Sequence, residues 1–431
     1  MAARLGADAR YLSKGDDAGS DGDAGRPRMT GKCCRVLYLN HAAKPSGAEM
    51  ALWRMLGAID RERVEPIILF GDDGIAADLM REIGIETHVM PLDGTIREVR
   101  KDTLDLLGFI DVRRIAAVTA YAARVARFAR QQGVQIIHTN TIKAHFYGAL
   151  AGWMAGLPVV WHVRDYVNES YLPQAAVKLV RFLARCAPRH IIGVSRSVLE
   201  QLQLGTGGTK STVILDGLTE RELTREARPK PVRAPGSRAR IGIVGRLARW
   251  KGQHVFIAAA SKVVAAGFDV EFGIIGAALF GEEKYEEELR RQTSALGLDG
   301  RMQFRGFTRD VAGELDQLDI LVHASTTGEP FGQVIVEGMA AGLPVVASRG
   351  GGVPEIITHG ENGLLTPMGD ADALAAAMML LLREPETAQR LGRAGYEHAR
   401  KDFRAERGAR QVEGVYHGLD RGGLIAPAAA A

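Results

Sequence analysis

A chain of 431 residues, 46% hydrophobic and 25% charged, has the composition of a soluble globular protein and the length for two ordinary domains, each with its own core. Fifty-five lysines and arginines against 51 aspartates and glutamates leave a formal charge of only +4, too little to argue for a nucleic-acid partner. Three cysteines, the adjacent Cys33 and Cys34 and the distant Cys186, exclude a disulfide framework and a zinc-ligand spacing, and point to a reducing, cytoplasmic setting.

Residues 1–32 are rich in Gly, Asp and Ala without apolar periodicity and read as a disordered tail. They lack the apolar core of a signal peptide, and Met29 is a candidate start. Strand and helix then alternate: strands over 35–39, 64–70, 87–90, 134–138, 159–163 and 190–194, helices over 48–56, 74–82 and 112–130. This is the rhythm of a doubly wound parallel sheet, and it defines an N-terminal domain over 33–220. Residues 221–239, with Arg228-Pro229-Lys230-Pro231 and Pro235-Gly236-Ser237, read as a linker. The rhythm restarts over 240–403, with strands at 241–244, 270–275, 302–305, 318–322 and 344–347 and helices at 253–266 and 282–295. A last helix spans 404–419 before a Gly/Ala-rich tail, 420–431. The apolar stretch 373–382 is shorter than the ~18 residues of a membrane span and reads as a core-facing helix.

Two helices are basic and amphipathic. In the first, Arg113, Arg124 and Arg127 share a face opposite Ile115, Val118, Val125 and Phe128. In the second, Lys178, Arg181, Arg185 and Arg189 lie opposite Leu179, Phe182, Leu183 and Cys186. Such helices ordinarily cover a sheet with a solvated outer face, and peripheral membrane contact is the alternative.

The chemistry-bearing stretch is Glu329-Pro330-Phe331-Gly332-Gln333-Val334-Ile335-Val336-Glu337. It places Glu329 in a loop at the C-terminal end of a buried strand and Glu337 in the helix that follows. Ligands of open α/β sheets bind at that edge, where helix N-termini present free N–H groups. A second loop, Gly245-Arg246-Leu247-Ala248-Arg249-Trp250-Lys251-Gly252, also joins a strand to a helix. Its Arg246 fork and Lys251 point charge suit a diphosphate; solvated cations on an ordinary loop are the bland reading, and that reading stands for Arg249. Neither Gly242 to Gly245 nor Gly273 to Gly276 completes a dinucleotide fingerprint, so a dehydrogenase is disfavoured and Gly276 reads as a turn beside the nucleotide. The run Gly350-Gly351-Gly352-Val353-Pro354-Glu355 is either a close backbone approach to a ligand or a turn capped by Glu355. In the first domain, Pro45-Ser46-Gly47-Ala48-Glu49 follows the first strand, and His138 and His162 sit at strand ends. Two D-x-D strings exist, Asp21 with Asp23 in the tail and Asp370 with Asp372 at a helix start; neither marks a metal site.

The glutamate pair and the cation loop resemble those of family 4 glycosyltransferases, retaining enzymes of the GT-B fold. The resemblance covers residues 35–419 in architecture and is specific over 245–252 and 329–348. It implies an α/β fold of two Rossmann-like domains facing a central cleft, with the last helix crossing back to the first domain. It implies that Arg246 and Lys251 grip the donor diphosphate, both at the cleft surface, that Glu329 contacts the donor sugar and that Glu337 holds the ribose. Gly245, Phe331, Gly332 and Gln333, with Gly47 of the first domain, would line the donor, and His162 would bond its sugar. The implied partners are a nucleotide diphosphate sugar and a glycan or lipid-linked acceptor, with neither metal nor cofactor. Residues 94–108, on the acceptor side, are least like the family. A sugar-nucleotide epimerase of the same fold and a non-catalytic GT-B partner protein are the competing readings; the intact Arg246, Lys251, Glu329 and Glu337 favour the transferase.

Overall fold

Short runs of valine, isoleucine and leucine without polar alternation form strands buried on both faces, as parallel sheets covered by helices require. The computed structural model describes residues 33–94, 112–169, 172–204, 211–224, 238–278 and 281–420. Strands β1 (Cys34–Asn40), β2 (Val64–Phe70), β3 (Glu86–Val89), β4 (Ile136–Thr139), β5 (Val159–Val163), β6 (His190–Gly193) and β7 (Ser211–Val213) form one parallel sheet in the order β3-β2-β1-β4-β5-β6-β7. Alternate residues serve opposite faces. Leu37, Leu39, Ile137 and Trp161 meet helices Val112–Gln131, Ile142–Ala155 and Gln174–Cys186. Val36, Tyr38, Ile136 and Val160 meet helices Gly47–Gly57, Ile75–Glu82 and Ala405–Asp420.

The second sheet repeats the plan. Strands β8 (Ala239–Val244), β9 (Val270–Ile275), β10 (Met302–Gly306), β11 (Ile320–His323), β12 (Val345–Ser348) and β13 (Leu364–Thr366) are parallel in the order β10-β9-β8-β11-β12-β13. Chain direction across the sheet reverses between β8 and β11, which pair directly. The loops leaving those two strands, 245–252 and 324–332, are therefore neighbours at the switch point where such sheets bind ligands.

The last helix packs on the first domain. Leu218 and Ala405 exchange backbone hydrogen bonds with Phe403 and Leu218, both 2.8 Å. Ala409, Val412, Val415 and Tyr416 join the core beside β1. Tyr416 Oη lies 2.9 Å from Tyr38 Oη and 2.7 Å from His138 Nδ1.

Several sequence expectations are corrected. The face of Gln174–Cys186 that packs on the sheet is Ala176, Val177, Val180 and Ala184, whose small side chains allow close approach. The stripe expected to face the core instead leaves Phe182 64% exposed and Cys186 exposed. Ile115, expected on the packed face of its helix, is 53% exposed, because packing begins only at Ala117 and Tyr121. The helix Ile142–Ala155 is not among the expected elements: it is apolar on nearly every side and so lacks a polar stripe, and Gly148 and Gly152 let it press onto Thr139 and Val159. The expected linker is encroached on at both ends, by helix Glu220–Thr224 and by β8 starting at Ala239; residues 225–237 lie outside the described residues, as do 1–32, 95–111 and 421–431.

His138, His145, His162 and His190 are all buried in the first domain. Burial lowers the pKa of His145 to about 3 and of His190 to about 4, and drives those of His138 and His162 well below the ordinary 6.5. The fold thus favours neutral rings, while the unfolded chain takes up protons below pH ~6.5. Their contribution is fully present above that pH and declines as pH falls toward 4, by up to ~1.4 kcal/mol per unit for each group. The urea midpoint should fall between pH 7 and pH 5. A flat midpoint over that interval would contradict the neutral assignment.

Candidate active site

The loop after β8 is shaped by backbone crowding. Gly252 adopts φ +73°, and a Cβ there would lie 1.9 Å from the carbonyl oxygen of Ala324 in the neighbouring loop, so only glycine fits. The preceding turn, Arg249–Lys251, aims Lys251 at the glutamate of that same loop. Its Nζ donates to both carboxylate oxygens of Glu329 at 2.9 Å and lies 4.3 Å from the Trp250 ring centre. Arg246 is half-buried, and Gln253 Nε2 holds its carbonyl oxygen at 3.0 Å. Burial lowers the Arg246 pKa, and the carboxylates of Glu282, Glu329 and Asp165 oppose that shift. Arg249 is exposed and paired with Glu288.

Glu329 is buried, with most of its partners gathered on Oε2. Besides Lys251, its Oε2 accepts from Ser325 Oγ at 3.1 Å and faces His323 Nε2 at 3.2 Å. Burial works to raise its pKa, but the Lys251 ammonium and the His323 contact outweigh it and hold the carboxyl well below the usual carboxylate range. His323, which ends β11, was not singled out from sequence. Its only signal was polarity at the end of an apolar strand.

Glu337 lies on the helix Gln333–Ala340, which starts at Gly332 with φ +116°. Its Oε1 accepts from Arg54 Nη2 of the first domain at 2.7 Å. Gln333, one turn earlier, donates to the Gly47 carbonyl at 2.6 Å and accepts from Arg54 Nη1 at 3.2 Å. Arg54 is also forked by Glu222, at 2.7 and 3.1 Å. Glu49, next to this region, is buried, accepts from Asn40 at 2.9 Å and bonds Ser46, and burial raises its pKa against those two bonds.

More contacts join the domains around Glu329. Tyr166 Oη donates to the Glu329 carbonyl at 3.0 Å, and Ser195 Oγ to that of Pro330 at 2.6 Å. Gly351 adopts φ +65°, where a Cβ would lie 2.0 Å from Tyr166 Oη, so the glycine run admits the tyrosine. Glu355 does not cap its own turn. It accepts from the N–H groups of Arg196 and Ser197, at 2.9 and 3.0 Å, at the start of helix Arg196–Gln201 in the other domain.

The fold thus gathers Gly245, Arg246, Lys251, Glu329, Gly332, Gln333, Glu337 and Gly47. Two expected residues are enclosed. The Phe331 ring is 5% exposed, packed in the core 6.0 Å from Phe403, which leaves only its backbone for a ligand. His162 is buried beside His138 Nε2 at 3.3 Å and Arg164 Nη2 at 3.4 Å. Its unpartnered Nε2 borders a cavity of about 10 Å³ lined by Ala51, Met55, Asp216 and Gly408, the scale of one water. Asp370 caps its helix by accepting from Ala373 N at 2.9 Å, and Asp21 and Asp23 lie outside the described residues. Among the described residues, no group of three or more His, Cys, Asp or Glu could hold a metal ion.

Lys251, expected at the cleft surface, keeps its side chain 20% exposed while paired with Glu329. Lys251→Met would leave Glu329 ionised, buried and short of its main partner. It should destabilise the fold by about 3 kcal/mol, the lower end for a broken buried pair. Adding Glu329→Gln should recover part of that loss. Chemical denaturation of the two single variants and the double variant checks both expectations.

The family model for glycosyl transferases group 1 matches residues 224–398, and that for glycosyltransferase family 4 matches residues 45–219. N-acetyl-alpha-D-glucosaminyl L-malate synthase of Bacillus anthracis is 34% identical over 133 residues, 30% of this chain and 35% of that protein. Phosphatidyl-myo-inositol mannosyltransferase of Mycolicibacterium smegmatis is 38% identical over 148 residues, 34% of this chain and 35% of that protein. The chain thus spans about 35% of the length of these curated relatives. Anabaena HepE, solved in complex with UDP and glucose, superposes with a TM-score of 0.75 at 27% identity, covering 90% of this chain and all of that one. Sucrose-phosphate synthase from Thermosynechococcus elongatus, at 19% identity and a TM-score of 0.71, covers 90% of this chain and 100% of its own and shares the fold. With one model over each parallel-sheet domain, the chain belongs to family 4 of the glycosyltransferases, with the GT-B fold.

Proposed function

We propose that this chain is a retaining, metal-independent glycosyltransferase that moves a hexosyl unit from a nucleotide diphosphate sugar to a hydroxyl acceptor, in polysaccharide or glycolipid synthesis. The observation that carries the reading is the convergence of Arg246, Lys251, Glu329 and Glu337 at the switch point of the second sheet, with Lys251 and Glu329 2.9 Å apart. Arg246 and Lys251 stabilise negative charge as it develops on the leaving diphosphate. Glu329 holds the sugar hydroxyls, and Glu337 the ribose. The bond from the anomeric carbon to the diphosphate breaks with its electron pair passing to the phosphate oxygen. The acceptor oxygen bonds to that carbon on the same face, and its proton passes to the departing phosphate. HepE was solved with UDP and glucose, which makes UDP-glucose the first donor to test.

Release of nucleotide diphosphate should require both donor and acceptor, and should persist in EDTA. Arg246→Ala should lower kcat by about 10²–10³, the usual loss for one donor to a developing charge. Epimerised sugar nucleotide without acceptor would favour the epimerase reading. No turnover with any donor would favour the non-catalytic one, and a loss in EDTA restored by Mg²⁺ would overturn metal independence.

We further propose a lipid-linked acceptor, reached through contact with an anionic bilayer. Helices Val112–Gln131, Ile142–Ala155 and Gln174–Cys186, on one face of the first sheet, contain no Asp or Glu. Their surface exposes Arg113, Arg124, Arg127, Lys178 and Arg185, with Trp153 80% exposed. Basic side chains gain about 1 kcal/mol each near an anionic membrane, and exposed aromatic rings seat at the headgroup level. Among the described residues no helix is long and apolar enough to cross a membrane. The protein should sediment with phosphatidylglycerol vesicles but not with phosphatidylcholine vesicles, and Trp153→Ser with Phe182→Ser should weaken that binding. Equal binding to both vesicle types, or none, would overturn the proposal.

A further inference from the structure

Arg54 is the most enclosed cation joining the two halves of the site, 5% exposed on the helix Gly47–Gly57. Its guanidinium faces two carboxylates and one amide. Nε and Nη2 grip Glu222 at 2.7–3.1 Å, Nη2 also reaches Glu337 Oε1 at 2.7 Å, and Nη1 reaches Gln333 Oε1 at 3.2 Å. Glu222 is itself fixed. It accepts from the backbone N–H of Thr219 at 2.8 Å and from Thr219 Oγ1 at 2.7 Å, as a capping box at the start of Glu220–Thr224. The chain Thr219–Glu222–Arg54 therefore sets where the guanidinium points.

The guanidinium engages only one oxygen of Glu337. Oε2 accepts no hydrogen bond from a described residue, and the Glu337 side chain is 20% exposed against 6% for Arg54. One cation between two carboxylates leaves a net negative charge, so the free oxygen remains a strong acceptor.

We infer that Arg54 is a positioning residue of the donor site: it pins Glu337 Oε1 so that Oε2 is presented to the ribose hydroxyls, and it makes nucleotide affinity depend on the two domains being closed. The inference rests on the proposed role of Glu337 toward the ribose. It assigns the first domain a part in holding the nucleotide, through a side chain that never touches it.

The test is calorimetry on the full chain with whichever of UDP, GDP or ADP binds most tightly, and with its 2′,3′-dideoxy counterpart, which lacks both ribose hydroxyls. The wild type should prefer the ribonucleotide. Arg54→Met should weaken it about tenfold while leaving the dideoxy analogue unchanged, with partial recovery in Arg54→Lys. Glu222→Gln, which keeps the helix cap but loosens the guanidinium, should reproduce the effect in part and guards against a misfolded Arg54 variant. Equal losses for both nucleotides in the Arg54 and Glu222 variants would mark a merely structural role and overturn the inference. So would wild-type affinities in both. Glu337→Gln separates the two levels. If the ribose preference collapses there but survives in the Arg54 and Glu222 variants, only the Arg54 inference fails. If it survives in Glu337→Gln, or if no nucleoside diphosphate binds, the ribose role of Glu337 fails first.

Discussion

A carboxylate enclosed by protein must be paired, and the pairing of Glu329 with Lys251 is the constraint around which the rest of the site is arranged. For Nζ to reach both oxygens at 2.9 Å, the loop after β8 must lie against the loop after β11. That contact allows no side chain at Gly252, where a Cβ would strike the Ala324 carbonyl. The Glu329 backbone is fixed from the other side, because its carbonyl accepts from Tyr166 Oη and from Gly352 N. Side chain and main chain of one residue thus tie together the two loops and the two domains.

The domains meet through polar contacts between groups that are themselves held. Glu355 ends on two backbone amides, Gln333 on a backbone carbonyl, and Arg54 on a carboxylate fixed by a capping threonine. Contacts of this kind demand good alignment and give little when misaligned. Apolar contact joins the domains as well: one cluster takes in Leu218 and Leu223 with Phe331, Val336 and Phe403, and the last helix adds Val412, Val415 and Tyr416 to the core of the first domain although they follow the second in sequence. A covalent return of this sort keeps the halves together, and the polar contacts fix how they face one another.

Much of this was legible in the sequence, for physical reasons that also explain the rest. Strands such as Val270–Ile275 were read to the residue because a strand buried on both faces is apolar along most of its length, here all but Glu271 near its start. The cation loop and the glutamate pair were legible because each lies within one short stretch whose neighbours mark a strand and a helix. The inward face of Gln174–Cys186 was misread because large apolar residues were taken for the packed side, whereas alanines and valines allow the closer approach. Arg54, Glu222 and His323 were missed for a different reason. Arg54 and Glu337 are 283 residues apart, and nothing local to either marks the other. His162 was read from its place at a strand end alone, and its burial beside His138 and Arg164 has no local mark in the sequence.

The ion pair at the centre of the site is compatible with taking up an anion. An ammonium has three N–H donors, and Lys251 directs two at Glu329. A guanidinium has five, and the carboxylates of Glu282, Glu329 and Asp165 act on Arg246 through space. The diphosphate of the proposed donor would therefore not have to break the Lys251–Glu329 pair, and Glu329 would stay charged and in place beside it. That arrangement sets a carboxylate close to a phosphate, an unfavourable juxtaposition unless something lies between them. In the proposed site a sugar attached to the diphosphate would occupy that space, its hydroxyls donating to Glu329 while its phosphates meet the cations. On that reading a glycosylated diphosphate would be preferred to a bare one, and the buried ion pair would be the source of the distinction.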